Sequence, residues 1–255
     1  MTLLLAGLNP IILCLALAIA MLAAWTAGRW MGRELRRQGG EMKPSKLDDA
    51  SLAMLGLLLA FAFGMSISKH DQRQGLVTTD SSAIGDFYRT AAMLKGPQRA
   101  SLLTLVRDYT QLRFDIATGR IDPSQFGSFL ERSQRMQMQM TDLVAEAVDG
   151  GASVADSLVS TLNGLIDAHA IRLAGFRDRL PATIILLLFV TSIVAALLIG
   201  REEEIVGTPE IAGMLCIILV VCLTIYVTLD LNQPQQGLIT VSQEPLERLL
   251  ATMAR

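Results

Sequence analysis

The sequence predicts an all-α integral membrane protein with four transmembrane helices and a helical domain inserted between the second and the third. Three observations support this fold class. Hydrophobic residues make up 51% of the 255 residues and charged residues only 18%, against about 25% in ordinary soluble domains. Four apolar segments are long enough to cross a bilayer, which takes about 20 residues of helix. Between the second and third segments apolar residues recur at helical spacing, and the chain shows no strand-like alternation.

The four spans are predicted at residues 1–28, 50–68, 182–200 and 211–229. The first differs from a cleaved signal peptide because it lacks a basic start, has a longer apolar run and is followed directly by Arg29 and Arg33. We therefore interpret it as a retained span. The interiors of the four spans carry no ionisable residue. This pattern disfavours proton relays and ion-coupled carriers, since such proteins place charges within the membrane.

The segments between the spans differ in charge. Residues 29–49 form a predicted basic linker, in which Gly39-Gly40 and Pro44 break any helix, and residues 201–210 form a short acidic loop with one arginine and four glutamates. The positive-inside rule places the basic linker in the cytoplasm and both termini with residues 69–180 on the opposite side. Five basic residues flank the membrane on that opposite side and weaken this orientation: Lys69, Arg73, Arg172, Arg177 and Arg179.

Residues 69–180 form the predicted extramembrane helical domain. The second span continues into it as a helix, because Val77, Ile84, Phe87 and Ala91 recur at helical spacing. Glycine and proline pairs then separate three further helices and start the third span: Gly96-Pro97, Asp122-Pro123, Gly150-Gly151 and Leu180-Pro181. The pattern predicts long helices that pass from the membrane into an antiparallel helical domain.

The second span carries two distinctive rows of residues. Small residues recur every four positions and form a candidate helix-packing stripe: Gly56, Ala60, Gly64 and Ser68. Such a stripe lets another helix approach closely. Bulky residues form a ridge beside it: Leu57, Phe61 and Met65. One interpretation is packing inside a single subunit. The other is an oligomer interface that turns the ridge toward a central axis as a hydrophobic constriction.

Composition and motifs argue against several classes of function. The net charge of −2 gives no basic footprint for nucleic acid. Two histidines and three scattered cysteines do not form a metal cluster, and no cofactor is predicted. No nucleophile–base pair or phosphate loop is visible, so the chain is not predicted to be an enzyme. His169 and Arg172 share a helix face without Asp167, which favours a local charge cluster over an active site.

Charged residues also follow the second span. Asp71, Arg73, Asp80, Asp86 and Arg89 lie in the 21 residues that follow its predicted end at Ser68. Their spacing fits a solvated helix face. The alternative is a place where ions or a partner meet the mouth of the membrane.

The C-terminal tail, residues 230–255, is more specified than a simple tail requires. The stretch from Leu229 to Pro245 reads LDLNQPQQGLITVSQEP, in which Pro234 and Gly237 force a turn. Leu238, Ile239 and Val241 offer apolar side chains, and Ser242 can cap a short amphipathic helix. We expect this tail to dock on the helical domain as a structural strap rather than to form a ligand site.

These motifs together resemble a known family. Asp71 to Gly85 have the form D-Q-R-x-x-L-V-x-x-x-x-x-A-I-G, Leu105 to Tyr109 read L-V-R-D-Y, and a later helix carries N-x-x-x-D-x-x-x-x-R from Asn163 to Arg172. The tail supplies the most specific motif, with Asp230, Asn232, Pro234 and Gly237 as family markers. The chain resembles the bestrophin-like family of bacterial membrane proteins over nearly its whole length. It departs at Asn232, where an acid is often found, and at Gln235-Gln236, where basic residues are common.

The resemblance implies a function and one conflict. The resemblance to bestrophins implies that the chain forms a pentameric anion channel. Its second span would line the pore, and chloride or another small anion would be the ion that passes. Bestrophins also keep both termini in the cytoplasm, opposite to the orientation that the linker charges indicate. We therefore expect a multi-pass protein of the bacterial inner membrane, surrounded by lipid and homo-oligomeric, that conducts anions. The alternative is a membrane-anchored sensor or scaffold whose residues 69–180 bind a ligand or partner.

Overall fold

The computed structural model describes residues 9–37, 46–119, 126–207, 210–233 and 237–254, with only the backbone for residues 46–48. These residues form helices and connecting turns without a strand, as the fold class predicts. Four helical stretches are long and apolar enough to cross a membrane, at Pro10–Arg37, Asp49–Ala92, Ala155–Val206 and Ile211–Leu231. The helices are α1 (Pro10–Arg37), α2 (Lys46–Ala92), α3 (Gln98–Ala117), α4 (Phe126–Asp149), α5 (Ala155–Arg177), α6 (Ala182–Val206), α7 (Ile211–Leu231) and α8 (Glu244–Met253).

The chain divides into two compact units. The membrane unit comprises Met1–Lys69 and Arg179–Gln233, and the helical unit comprises His70–Asp178 and Pro234–Arg255. Each unit has its own apolar core. That of the membrane unit draws on α1, the first part of α2, α6 and α7, with Met21, Ala196 and Met214 among its most buried side chains.

Helices α1 and α6 cross closely through glycines. A Cβ atom at Gly28 would collide with the carbonyl oxygen of Leu197, and one at Gly200 would collide with the carbonyl oxygen of Trp25. Only glycine permits backbones to approach so closely. The crossing was not predicted, because the glycines that form it lie in different spans.

The ends of α1 and α6 are joined by charged and polar contacts. Glu204 accepts hydrogen bonds from Arg33 Nε at 3.0 Å and from Arg29 Nε at 3.3 Å, and the indole of Trp25 donates to Glu203 at 3.0 Å. Helix α1 continues through Arg37 and α6 through Val206, so the first part of each predicted linker is helical.

The core of the helical unit is built from α3, α4 and α5 together with the later part of α2 and with α8. Gly96 (φ +135°) and Gly151 (φ +68°) adopt conformations that favour glycine. Helices α2 and α4 end just before these glycines, at the breaks that the sequence predicts. The Asp122-Pro123 break lies outside the described residues. Three methionines alternate along α4, of which Met136 and Met140 enter the core and Met138 is exposed.

The tail residues after Gly237 belong to the helical unit. Ser81 Oγ donates to the carbonyl of Pro245 at 2.8 Å, and the side chain of Gln74 exchanges hydrogen bonds with the backbone of Ser242. Helix α8 inserts Leu246 and Met253 into the core. One expectation needs correction: of the three apolar residues thought to dock, only Val241 is buried, while Leu238 and Ile239 are exposed because they lie in the turn before α8.

Candidate functional site

The predicted constriction residues lie on an exposed face of α2. Their exposed fractions are 57% for Leu57, 64% for Phe61 and 42% for Met65. The opposite face of the same helix turns Leu55, Leu59, Ala62 and Ser66 into the protein. At about 100° per residue, the ridge points away from this buried face. The single chain therefore leaves its bulkiest row on α2 uncovered.

The small-residue stripe is also exposed. Gly56, Ala60, Gly64 and Ser68 all face outward. A Cβ atom added at Gly56 or Gly64 would meet nothing within 4 Å. The interpretation within a single subunit would require another helix of the same chain to pack against these glycines. Among the described residues no helix does so. The stripe and the ridge lie side by side on the uncovered half of the helix.

The charged residues after the second span divide into two groups. Asp86 and Arg89 form an exposed ion pair, and Asp71 is also exposed, as a solvated face would require. Arg73 and Asp80 are buried, so the solvated interpretation is wrong for both. Arg73 donates to the carbonyls of Gly175 at 3.3 Å and Asp178 at 2.7 Å. Its guanidinium thus donates hydrogen bonds to carbonyl groups at the end of α5, where the helix itself supplies no donors.

Asp80 is the centre of a buried charge network that joins four segments. Its Oδ2 accepts hydrogen bonds from Arg113 Nη2 on α3 at 2.8 Å and from Arg172 Nη1 on α5 at 2.6 Å. Arg172 also donates to Gln243 Oε1 in the tail at 2.8 Å. Arg113 Nη1 donates to His169 Nδ1. The network therefore ties α2, α3, α5 and the tail together in the core of the helical unit.

The electrostatics of this network keep Asp80 charged. Burial opposes ionisation of the carboxyl, but the positive charges and hydrogen bonds of Arg113 and Arg172 hold its pKa below the usual value. Burial and the neighbouring Arg113 lower the pKa of Arg172. Burial raises the pKa of the Tyr109 hydroxyl to about 12. One carboxylate thus faces two guanidinium groups.

His169 is neutral in this environment. Burial, followed by the charge of Arg113, lowers its pKa to about 4. Arginine has only donors, so Nδ1 of His169 is the acceptor and Nε2 carries the proton. Asp167 is exposed and takes no part. The pairing of His169 with Arg172 on one face was predicted, whereas their meeting with Asp80 was not.

The network could have been found from helical register. Asp80 lies between the buried apolar residues Val77 and Ile84 at spacings of three and four, and Arg113 follows Tyr109 by four residues. Arg172 follows Leu165 by seven. Charged residues that occupy apolar positions of a helical pattern indicate a buried network, because an unpaired charge there would be costly.

The tail markers lie at the end of α7. Asp230 and Asn232 are both buried. Asn232 Oδ1 accepts a hydrogen bond from the backbone nitrogen of Leu180 at 2.8 Å, which fixes the chain just before Pro181. Gly237 has a φ of +147°, as a turn there requires, and Pro234 lies outside the described residues. Within the described ranges no group of three histidine, cysteine or acidic residues could hold a metal ion.

Comparisons with known proteins agree on one fold. The Bestrophin-like domain family model matches residues 14–246. Structures of a bacterial bestrophin homolog from Klebsiella pneumoniae are similar along nearly the whole chain. A tryptophan-to-alanine variant gives a TM-score of 0.67 at 14% identity and covers 96% of this chain and 93% of that chain. The structure solved by Zn-SAD phasing gives 0.63 at 14% identity, with 97% and 96% covered. No curated protein sequence matches the chain.

Proposed function

The chain belongs to the bestrophin-like family, and from this membership we propose that it is an oligomeric anion channel of the bacterial inner membrane. In this proposal α2 lines the pore, Leu57, Phe61 and Met65 form the constriction, and chloride or another small anion is the ion. The preference for anions rests on the resemblance to bestrophins, because the span contains no charged residue that would select an ion.

The observation that carries the proposal is the uncovered face of α2. A helix in a membrane protein can leave an apolar row exposed to lipid. It has less reason to leave a row of small residues exposed beside it, because small residues favour close approach of another helix. A second subunit packed on the stripe would leave the neighbouring ridge at an axis shared by the copies. An apolar ring of this kind can gate ions by excluding water.

The test is anion flux through the purified full-length protein in liposomes. We expect chloride release from loaded vesicles, and we expect Phe61→Ala to raise it several-fold, because the smaller side chain widens the constriction. Leu57→Ala should act in the same direction. Leu219→Ala is the matched control, since Leu219 is a similarly exposed leucine on α7.

Three results would count against the proposal or a part of it. Absence of chloride release from vesicles that contain assembled protein would exclude the channel and favour the sensor or scaffold. Equal flux for the wild type and Phe61→Ala would remove the ridge from the pore. A rise for Leu219→Ala as large as that for Leu57→Ala would indicate a general loosening of the protein rather than a wider constriction.

A further inference from the structure

Two hydrogen-bond donors in the helical unit are buried without an acceptor. Arg113 Nε and Ser133 Oγ have no partner among the described residues. Arg113 is 7% exposed and Ser133 is 1% exposed. A buried donor without an acceptor is destabilising, and native proteins rarely tolerate it. Their coincidence in one unit points to a shared acceptor.

The register of α3 and α4 places these two donors at the same level. Gln137 Nε2 on α4 donates to the Tyr109 hydroxyl on α3 at 3.1 Å. Residues that precede Tyr109 on α3, among them Thr104 and Asp108, line one groove with residues that follow Gln137 on α4, among them Gln139 and Asp142. The two helices therefore run antiparallel, and one further turn brings Arg113 opposite Ser133. This juxtaposition follows from the pairing of Tyr109 with Gln137.

The charge balance favours an anion as the acceptor. Arg113 and Arg172 share the single carboxylate of Asp80, and His169 is neutral. One positive charge in the network thus has no counterpart among these groups. Burial of an uncompensated charge is costly, and an anion beside Arg113 would remove that cost.

We propose that Arg113 Nε and Ser133 Oγ bind a small monovalent anion of halide size between α3 and α4. The guanidinium supplies charge and one donor, and the hydroxyl supplies the second donor. Asp80 Oδ1 is a third buried atom without a partner. A carboxylate oxygen accepts hydrogen bonds and cannot bind an anion. A water molecule could donate to Asp80 Oδ1 and accept from one of the two donors, so water is the competing occupant of the site. The site is in the helical unit and is separate from the pore residues of the proposed channel.

The first test is thermal unfolding of the full-length protein in detergent, in sodium chloride, bromide or gluconate at equal ionic strength. Gluconate is the control anion, because it is much larger than the halide-sized anion that we propose. We expect the midpoint to rise with the logarithm of chloride or bromide concentration, because a ligand that binds only the folded state stabilises it. Ser133→Ala should lose this rise, whereas Ser101→Ala, an exposed serine on α3, should keep it.

The behaviour of Ser133→Ala in gluconate provides a second criterion. There the variant should be at least as stable as the wild type, because it removes a buried hydroxyl without an acceptor. A halide effect that survives in Ser133→Ala belongs to another site and overturns the assignment. Equal midpoints for the wild type in halide and gluconate overturn it as well, and leave water as the occupant.

The second test needs no variant and so does not depend on whether Ser133→Ala folds. Crystals of the wild type grown in sodium bromide should show an anomalous peak within contact of Arg113 Nε and Ser133 Oγ. Absence of this peak, or density with the scattering of water only, would refute the proposal. Loss of channel activity has no bearing on either test.

Discussion

Asp80 uses a single oxygen to bind both Arg113 and Arg172, so the two guanidinium groups depend on one residue for compensation. All three side chains are almost completely shielded from water. The exposed fraction of the side chain alone is 0% for Asp80, 8% for Arg113 and 4% for Arg172. Removal of the carboxylate from such a site leaves two buried cations. They have lost their hydration on folding and no longer have a negative charge to compensate for that loss. The stability of the helical unit should therefore be sensitive to this position.

Asp80→Asn should destabilise the protein by about 3–5 kcal/mol, the usual cost of breaking a buried ion pair. The matched control is Asp86→Asn on the same helix, whose pairing with Arg89 is exposed to solvent. An exposed pair contributes about 1 kcal/mol at most. Denaturant unfolding of the two variants measures the difference. Equal destabilisation would show that the buried network does not contribute more than a surface pair.

His169 predicts a pH dependence of stability. Its folded pKa is about 4, against about 6.5 for an unperturbed histidine. Between these two pH values His169 is protonated in the unfolded chain but not in the folded protein. The free energy of unfolding therefore falls as pH falls from 6.5 to 4, by about 3 kcal/mol at most. Unfolding midpoints across this range measure the effect.

A pair of histidine variants isolates this contribution. His169→Gln keeps an acceptor for Arg113 and cannot titrate, so it should flatten the dependence between pH 6.5 and 4. His70→Gln replaces the other histidine of the chain and serves as the matched control for the loss of one imidazole. A slope that persists in His169→Gln would assign the effect to other groups.

Single-residue features of the site were only partly predictable. Exposure of Asp71, Asp86 and Arg89 follows from a solvated helix face. The burial of Asp80 and Arg73 contradicts a solvated face but fits their register with the buried Val77. Their partners come from helices far along the sequence, at Arg113, Arg172 and Gly175. Register indicates that a charge is buried, but the identity of its partner depends on how the helices pack.

At the scale of helices, identical residues play opposite roles. At Gly28 and Gly200 the backbone of a neighbouring helix occupies the space that a Cβ atom would need. At Gly56 and Gly64 this space is empty. The sequence pattern marked only the open pair, since its regular spacing of four is visible within a single span. The closed pair is divided between α1 and α6, and its role emerges only from their crossing.

Helix α8 gives a prediction for the tail. Leu246 is completely buried in the core of the helical unit, and Leu→Ala substitutions in cores cost about 2–5 kcal/mol. Leu246→Ala should lower the unfolding free energy by this amount, while Leu238→Ala, at a position that is 81% exposed, should have little effect. Denaturant titration of the full-length variants compares them. Similar stability of the two variants would mean that α8 adds little to the core.

For the whole molecule, the fold class followed from hydrophobic length and helical periodicity, and the structure confirms it. Those signals are local and repeat along each helix. The division of the chain into two units, each with its own core, depends on contacts between distant segments such as α1 with α6 and α3 with α8. The assembly that we propose lies one step further, because the stripe on α2 meets no other helix among the described residues.

The stripe on α2 makes assembly testable without reference to ion flux. Ala60 is exposed between Gly56 and Gly64, so Ala60→Leu should leave the folded subunit intact. If a second subunit packs there, the added bulk should weaken association by about tenfold or more, since overpacking costs about 1–3 kcal/mol. Ala212→Leu makes the same change at an exposed position of α7 and should assemble normally. Light scattering in detergent reports the mass. An Ala60→Leu protein with the mass of the wild-type oligomer would place the contact on another helix, and the ridge beside the stripe would then lose its argument for facing a common axis.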